Sequence, residues 1–210
     1  MAYEAYEAAN KQAQKAYRAA MNRGDYPYLP ALDDFLPYEK TAGEKYIGLV
    51  EIPLDLVVGT KTAGRQNSFA NNFMPLLGGE TEFAYKWSDL HEAQLQEGIR
   101  DPIVAYEYMH RFYVMEGNKR VSVLKSLKAA KISAKVTRII PKKTDDLETK
   151  IYYEFMDFYE DTKIYDIWFS QQGSYDKLIR YYGYEPGKVW EEAHRISVRS
   201  EFLMFRIIYK

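Results

Sequence analysis

An apolar segment that turns abruptly into a basic one constrains the fold of this chain most strongly. Residues 111–116 (RFYVME) contain an apolar run at 112–115 that is rich in aromatic and β-branched residues, which predicts a buried strand. A basic run with helical spacing follows Gly117. A sharp strand-to-helix turn directs backbone N–H groups and the positive helix end toward one point. Gly117 lets an anion approach the main chain, and Lys119 and Arg120 add positive charge beside it. The sequence therefore predicts a phosphate-binding turn formed by Gly117, Asn118, Lys119 and Arg120.

The charge distribution along the chain supports an anionic partner for this region. Residues 110–143 contain ten Lys and Arg but only one acid, Glu116, whereas the whole chain has a formal charge of −1. This segment at +9 is therefore offset by −10 elsewhere, and such asymmetry favours an anionic ligand on one part of the surface. The alternative is a plain connecting turn whose Lys and Arg side chains are solvated.

Composition limits the remaining classes. At 210 residues the chain fits one domain, or one domain with an appended helical lobe. With no run of 18 apolar residues and no signal-peptide core, we expect a cytoplasmic protein with no membrane partner. The lack of cysteine excludes disulfides, cysteine-ligated zinc and a cysteine nucleophile. Its three histidines lack metal-ligand spacing, so no metal site is predicted.

The first half of the chain combines helical and extended patterns. An Ala-rich run over 2–22 predicts a helix that ends at Gly24, with a small-residue seam that packs either on its own domain or on a second copy of the chain. Residues 25–44 resemble an extended connection, and 46–58 predict a strand in which Pro53 marks an edge, a bend or a strand start. Ser88 is a candidate N-cap for a helix over 89–97, with Asp89 in its first turn and Gly98 after it.

The second half continues with a strand at 102–106, a turn at 107–110, the basic helix at 119–131 and a strand at 134–140 ended by Pro141. Three helices are then predicted, at 144–159 with Thr144 as its cap, at 174–182, and at 197–209 with residues 198, 202, 205 and 209 at core spacing. These patterns divide the chain into an N-terminal helix and wrapping segment (1–45), an α/β core (46–143) and a helical C-terminal lobe (144–210).

The order of these elements resembles the ParB/sulfiredoxin superfamily, which includes the ParB-like nuclease domain of chromosome-partitioning proteins. The matching pieces span roughly 46–140 and are IPL at 52–54, GRQ at 64–66, the helix at 90–98, DPIV at 101–104 and EGNKR at 116–120. The resemblance implies an α/β (α+β) fold: a small mixed sheet of ParB/sulfiredoxin type, here with an N-terminal helix and a helical C-terminal lobe.

The resemblance also implies a nucleotide ligand, CTP or ATP, with Mg²⁺ if a triphosphate is bound. Gly117, Asn118, Lys119 and Arg120 would hold the phosphates, and Arg65 would contact the nucleotide from the opposite side. Thr60, Gln66 and Glu97 would lie near the base or sugar, and Glu116 would take the place of the acid in the kinase-like members. Sulfiredoxin chemistry is excluded because the chain has no cysteine, and neither the Asn-x-Gln-Arg segment of ParB proteins nor their helix-turn-helix is present.

Four functions remain open on the sequence. The first is a regulatory domain that binds a nucleotide or another phosphate-bearing ligand. The second is a phosphotransferase or nucleotide hydrolase with Glu116 as the base, against which Glu116 could simply form a salt bridge with Lys119 or Arg120. The third, less favoured, is nucleic-acid binding through the helix at 119–131. The fourth is an interaction module that has lost its ligand, and a homodimer is compatible with each.

Overall fold

The computed structural model describes residues 2–208, and the side chains of 3–64 and 66–208. Two compact units divide the chain, Met1–Lys142 and Lys143–Lys210. The fold is mixed α/β: within the described residues, seven α-helices accompany a five-stranded mixed sheet, and the sheet lies in the first unit. None of the described helices is both long and apolar enough to span a bilayer.

The N-terminal helix, α1 (Ala2–Arg23), follows the sequence prediction and ends at Gly24, whose φ is 74°. Its small-residue seam is buried inside the first unit, at Tyr6, Ala9, Ala13 and Ala20. The Tyr6 ring meets Trp87 edge-on at 5.5 Å, and its hydroxyl donates to the carbonyl of Leu77 at 2.7 Å. The seam therefore packs on its own domain, which was one of the two alternatives.

The segment after α1 departs from the prediction in two ways. The connection at 25–44 is not wholly extended, because it contains a one-turn helix, α2 (Leu32–Phe35). Its last residues also form the start of a strand, β1 (Thr41–Pro53). The single strand predicted over 46–58 is wrong: β1 ends at Pro53, a short 3₁₀ turn follows, and a separate strand, β2 (Val57–Thr60), begins. Since proline has a fixed φ and no N–H, it ends the strand here.

Helix α3 (Glu82–Gln96) begins seven residues earlier than predicted. Its N-cap is Thr81, whose hydroxyl accepts a hydrogen bond from the N–H of Ala84 at 3.2 Å. Ser88, the predicted cap, is buried within the helix, so Asp89 does not lie in the first turn. A serine can cap only where the preceding chain leaves the helix, and here the helical pattern already runs through Phe83 and Ala84. The predicted end at Gly98 is correct, with φ of 79°.

The sheet has the strand order β1-β5-β3-β4-β2, with β3 (Ile103–Tyr108), β4 (Arg111–Glu116) and β5 (Lys131–Pro141) at its centre. β3 and β4 form an antiparallel hairpin, β5 runs parallel to β3 and antiparallel to β1, and β2 runs parallel to β4. The basic helix, α4 (Asn118–Ser126), is shorter than predicted, because the chain turns at Lys128 (φ 57°) and enters β5 at Lys131, opposite Pro53.

The second unit contains α5 (Leu147–Thr162), α6 (Ser174–Tyr181) and α7 (Glu192–Ile208). The cap of α5 is Asp146, which accepts from the N–H of Thr149, rather than the predicted Thr144, which instead hydrogen-bonds Asp146. Aromatic side chains fill the core of this unit, among them Tyr152, Phe155, Phe158, Tyr175 and Trp190.

Helix α7 was predicted to place residues 198, 202, 205 and 209 in a core. Val198 is buried, but Phe205 is exposed, which corrects that prediction for the C-terminal turns. The predicted core position at 209 lies outside the described residues.

Candidate functional site

The two predicted halves of the site meet because β2 and β4 are parallel neighbours. Thr60 at the end of β2 pairs with Val114, and the next N–H, of Lys61, donates to the carbonyl of Val114 at 2.8 Å. Parallel strands end at the same sheet edge, so the polar loop after Thr60 and the turn at Gly117 leave the sheet on one side. Ligands of open α/β sheets bind at this kind of edge.

Gly117 is required by the fold as well as by the predicted chemistry. Its backbone is left-handed, with φ 108° and ψ 21°, and it forms the N-cap of α4 without a side chain to cap it. A Cβ built on Gly117 would lie 2.5 Å from Cγ2 of Ile103 and 3.2 Å from Nε of Arg120. Both the conformation and the close packing therefore favour glycine at this position over any residue with a Cβ.

Asn118 joins the turn to β2. Its Nδ2 lies 3.4 Å from Oγ1 of Thr60, which in turn donates to the carbonyl of Val114 at 2.9 Å. The amide oxygen Oδ1 of Asn118 is buried and has no hydrogen-bond donor in the part of the chain that the structure describes. A buried acceptor without a donor is rare in native proteins, so this oxygen is a candidate acceptor for a donor group of a ligand or for a water molecule.

Arg120 is anchored to the protein itself. Its Nη1 donates to the carbonyls of Asp101 and Pro102, both at 2.8 Å, and its Nη2 lies 3.4 Å from Oε1 of Glu116. Only 16% of its side chain is exposed. The guanidinium therefore holds the start of β3 against α4. Its positive charge can act on a ligand only from this fixed position.

Glu116 lies at the end of β4 with 73% of its side chain exposed. Its ion pair with Arg120 is the internal salt bridge that the sequence offered as the alternative to a catalytic role. An exposed i, i+4 pair of this kind stabilises a protein by at most about 1 kcal/mol. The carboxylate thus faces solvent beside the turn.

Lys119 is directed toward the start of α3. Its Nζ lies over the Phe83 ring, 4.5 Å from the centroid. The nearby carboxyl of Glu82 has its pKa lowered, chiefly by a hydrogen bond from Lys86 and also by the charge of Lys119. Lys119 and Arg120 therefore flank the turn on different sides rather than converging on one point.

The remaining predicted residues lie on two further segments. Arg65 and Gln66 belong to a 3₁₀ helix, Ala63–Ser68; the side chain of Arg65 is outside the described part of the structure. Oε1 of Gln66 is buried without a donor among the described residues, as is Oδ1 of Asn118. Glu97 is the exposed C-cap of α3, and no hydrogen bond or ion pair joins its described side chain to the turn.

The basic segment contributes less surface charge than its sequence indicates. Arg138 is buried in an ion pair with Glu107. Lys125 is half-buried over the Phe73 ring at 5.1 Å, and burial lowers its pKa, against an opposing effect of Asp55. Both cations are turned inward, because the face of β5 that carries Arg138 and the face of α4 that carries Lys125 point toward the core.

Two cavities lie in the second unit, for which the sequence gave no local signal. One, of about 420 Å³, is lined by the carboxylates of Glu154, Asp157, Glu160, Asp161 and Asp176. Burial and the charge of Asp161 raise the pKa of Asp157. Among the described residues no group of three or more His, Cys, Asp or Glu is arranged to hold a metal ion. The other cavity, of about 170 Å³, is basic and lies between α5 and α7.

The crystal structure of sulfiredoxin from Arabidopsis thaliana is similar at 19% sequence identity, over 42% of this chain and 82% of that one, with a TM-score of 0.30. No protein-family model matches the chain. No curated protein matches it.

Proposed function

We propose that the first unit is a ParB-like domain that binds a nucleotide at the edge formed by Thr60 and the Gly117 turn, in a regulatory role. The observation that carries the proposal is the contact of Asn118 with Thr60, which joins the two segments that the sequence assigned to one ligand. The parallel β2–β4 pairing supports it, because both segments leave the sheet at the same edge.

The polar atoms of the site favour a nucleotide over a bare phosphate. Oδ1 of Asn118 and Oε1 of Gln66 are buried acceptors that lack donors among the described residues. A fully ionised phosphate offers only acceptors, whereas a nucleotide offers ribose hydroxyls and base amino groups as donors. The N-terminal end of α4, with Lys119 beside it, suits the phosphates. A nucleoside phosphate supplies both donors for the amide oxygens and phosphates for the end of α4, and Mg²⁺ accompanies a triphosphate.

The test is a titration with a panel of ligands. Binding is measured by the melting temperature and by the chemical shifts of the backbone amides of 117–120. CTP, ATP and GTP are compared, with and without Mg²⁺, with ribose 5-phosphate and with inorganic tripolyphosphate. We expect a saturable rise in Tm with one nucleoside triphosphate, equivalent to about 2.7 kcal/mol at a hundredfold excess over Kd. Tripolyphosphate should bind more weakly, because it leaves both amide oxygens without donors.

Two variants separate this site from general charge effects. Asn118→Leu removes the amide that joins the turn to β2 and should abolish the nucleotide response, whereas Lys188→Gln removes an exposed lysine of the second unit and should leave it unchanged. A panel with no saturable response at millimolar concentration, or a response equal in both variants, would reject the proposal and leave a domain without a ligand at this edge.

A further inference from the structure

The basic cavity of the second unit lies where the end of α5 meets the start of α7. Its lining includes Thr162, Lys163 and Ile164 at the end of α5, and Glu192, Arg195 and Arg199 on one face of α7. Lys163 ends α5 in a left-handed conformation, with φ of 55°. Residues about thirty positions apart in sequence thus bring three cations to one small space.

Two of these cations already have partners within the unit. Nζ of Lys163 pairs with Glu160 at 3.2 Å and lies over the Tyr159 ring. Nε of Arg199 donates to Oδ2 of Asp166 at 2.8 Å. Each remains charged, but each is held in place by a carboxylate outside the cavity lining. Lys163 and Arg199 therefore line the cavity, but each already has a carboxylate partner.

Arg195 differs from both. Its Nε is buried, and no acceptor for that N–H lies among the residues that the structure describes. The backbone N–H of Arg195 donates to the carbonyl of Glu191, which fixes the residue in the first turns of α7. A buried guanidinium N–H without an acceptor is energetically unfavourable, since guanidinium hydrogen bonds to oxyanions are among the strongest in proteins.

We propose that this cavity binds one compact oxyanion, a phosphate or carboxylate group, through the guanidinium of Arg195 with Lys163 and Arg199 at its sides. A planar guanidinium can donate two parallel N–H groups to two oxygens of the same anion. A volume of about 170 Å³ is below the range of roughly 300–1,000 Å³ of pockets that enclose whole ligands, so the cavity suits a single anionic group.

Glu192 sets the balance of charge in this cavity. It lies one turn before Arg195 and lines the same space, yet no hydrogen bond or ion pair within the described residues joins the two. Its carboxylate would repel an incoming oxyanion and lower the affinity. Glu192→Gln should therefore tighten binding several-fold while leaving the guanidinium geometry unchanged. A merely structural role for Arg195 does not predict this effect.

The experiment follows the arginine Nε–Hε resonances of the full chain during titration with sodium phosphate. Sodium acetate and sodium chloride at matched ionic strength form the other two arms. Arg195→Lys keeps the charge, removes the planar fork and identifies the Arg195 signal by its loss. We expect a saturable phosphate-dependent shift of that signal in the original protein. Isothermal titration calorimetry with phosphate, which does not depend on the Arg195 signal, should show roughly tenfold weaker binding in Arg195→Lys. Binding should be unchanged in Arg180→Lys, which alters an exposed arginine of α6. Acetate in place of phosphate as the tighter ligand would assign the site to a carboxylate.

One alternative would overturn the proposal. Oδ1 of Asp166 is also buried without a donor among the described residues, so Arg195 could turn to it and close an internal ion pair. In that case the Arg195 signal moves in Asp166→Asn and does not respond to phosphate or acetate in the unaltered protein. A response equal in size to that of chloride would also overturn the proposal, because it reports screening alone.

Discussion

The carboxylate of Glu107 accepts a hydrogen bond from the guanidinium of Arg138, with Oε2 and Nε 2.5 Å apart and both side chains buried. The two residues face each other on the parallel strands β3 and β5. Oε1 of Glu107 also accepts from the N–H of His110 at 2.8 Å, so one carboxylate ties the neighbouring strand and the β3–β4 turn together. Arg138 therefore serves the sheet and not an anionic ligand.

Removing one member of this pair should be strongly destabilising. Arg138→Met leaves the Glu107 carboxylate buried without its counter-charge, and we expect the free energy of unfolding to fall by about 3–5 kcal/mol. Urea denaturation followed by circular dichroism measures the change. The double variant Glu107→Met/Arg138→Met should recover much of the loss, and Lys150→Met, which breaks an exposed pair with Asp145, should cost less than about 1 kcal/mol. An Arg138→Met protein as stable as the original would mean that Glu107 is solvated.

Gly117→Ala should destabilise the first unit through two separate effects. A left-handed backbone with a Cβ costs about 1–2 kcal/mol, and contact with Ile103 adds overpacking strain. Thermal or urea unfolding should therefore show a loss larger than that of Gly24→Ala, whose φ is also positive but whose Cβ would meet open space. Gly64→Ala, with neither constraint, should stay within about 0.5 kcal/mol of the original protein. Equal losses in Gly117→Ala and Gly24→Ala would show that Ile103 yields.

His110 should make the first unit sensitive to acid. Burial, followed by the charges of Arg138 and Arg111, lowers the pKa of His110 to about 3. In the unfolded chain histidine titrates near a pKa of about 6.5, so below that pH the unfolded state binds a proton that the folded state does not. Stability is then fully present above pH 6.5 and falls between pH 6.5 and 3, by up to about 1.4 kcal/mol per pH unit.

The comparison that isolates this effect is His110→Asn. Asparagine does not titrate and tolerates the positive φ of 65° at this position. The free energy of unfolding, measured in urea at pH 7, 6, 5 and 4, should fall less steeply in the variant than in the original protein. Burial also lowers the pKa of His91. His91 is present in both proteins, so its effect on the pH dependence is the same in each. Parallel pH profiles would contradict a buried neutral His110.

Local signals in the sequence predicted much of the fold. The apolar run of β4, the glycine at 117 and the helical spacing after it are sufficient for a strand–turn–helix, since each residue prefers the conformation that it adopts. Gly24 and Gly98 mark helix ends for the same reason, since their φ angles are 74° and 79°. The mixed α/β class follows from these elements, and the structure confirms it.

The partners that the charged side chains contact could not be predicted in this way. Arg120 meets the carbonyls of Asp101 and Pro102 only because β3 and β4 pair in one particular register. Arg138 meets Glu107 only because β5 inserts between β1 and β3. Such contacts depend on tertiary register, whereas the count of Lys and Arg along the chain does not. The +9 segment therefore overstated the charge available at the turn.

Glu116 is the candidate base if the site catalyses phosphoryl transfer or hydrolysis. Because its side chain is 73% exposed and its partner Arg120 is held by two backbone carbonyls, Glu116→Gln should change the free energy of unfolding by less than about 1 kcal/mol. Nucleotide affinity should also be retained. Turnover of the nucleotide that binds, followed by ³¹P NMR, should then be lost in Glu116→Gln and kept in Glu44→Gln, which alters an exposed glutamate of β1. Turnover at the original rate in Glu116→Gln would reject the catalytic role and leave Glu116 as the surface partner of Arg120.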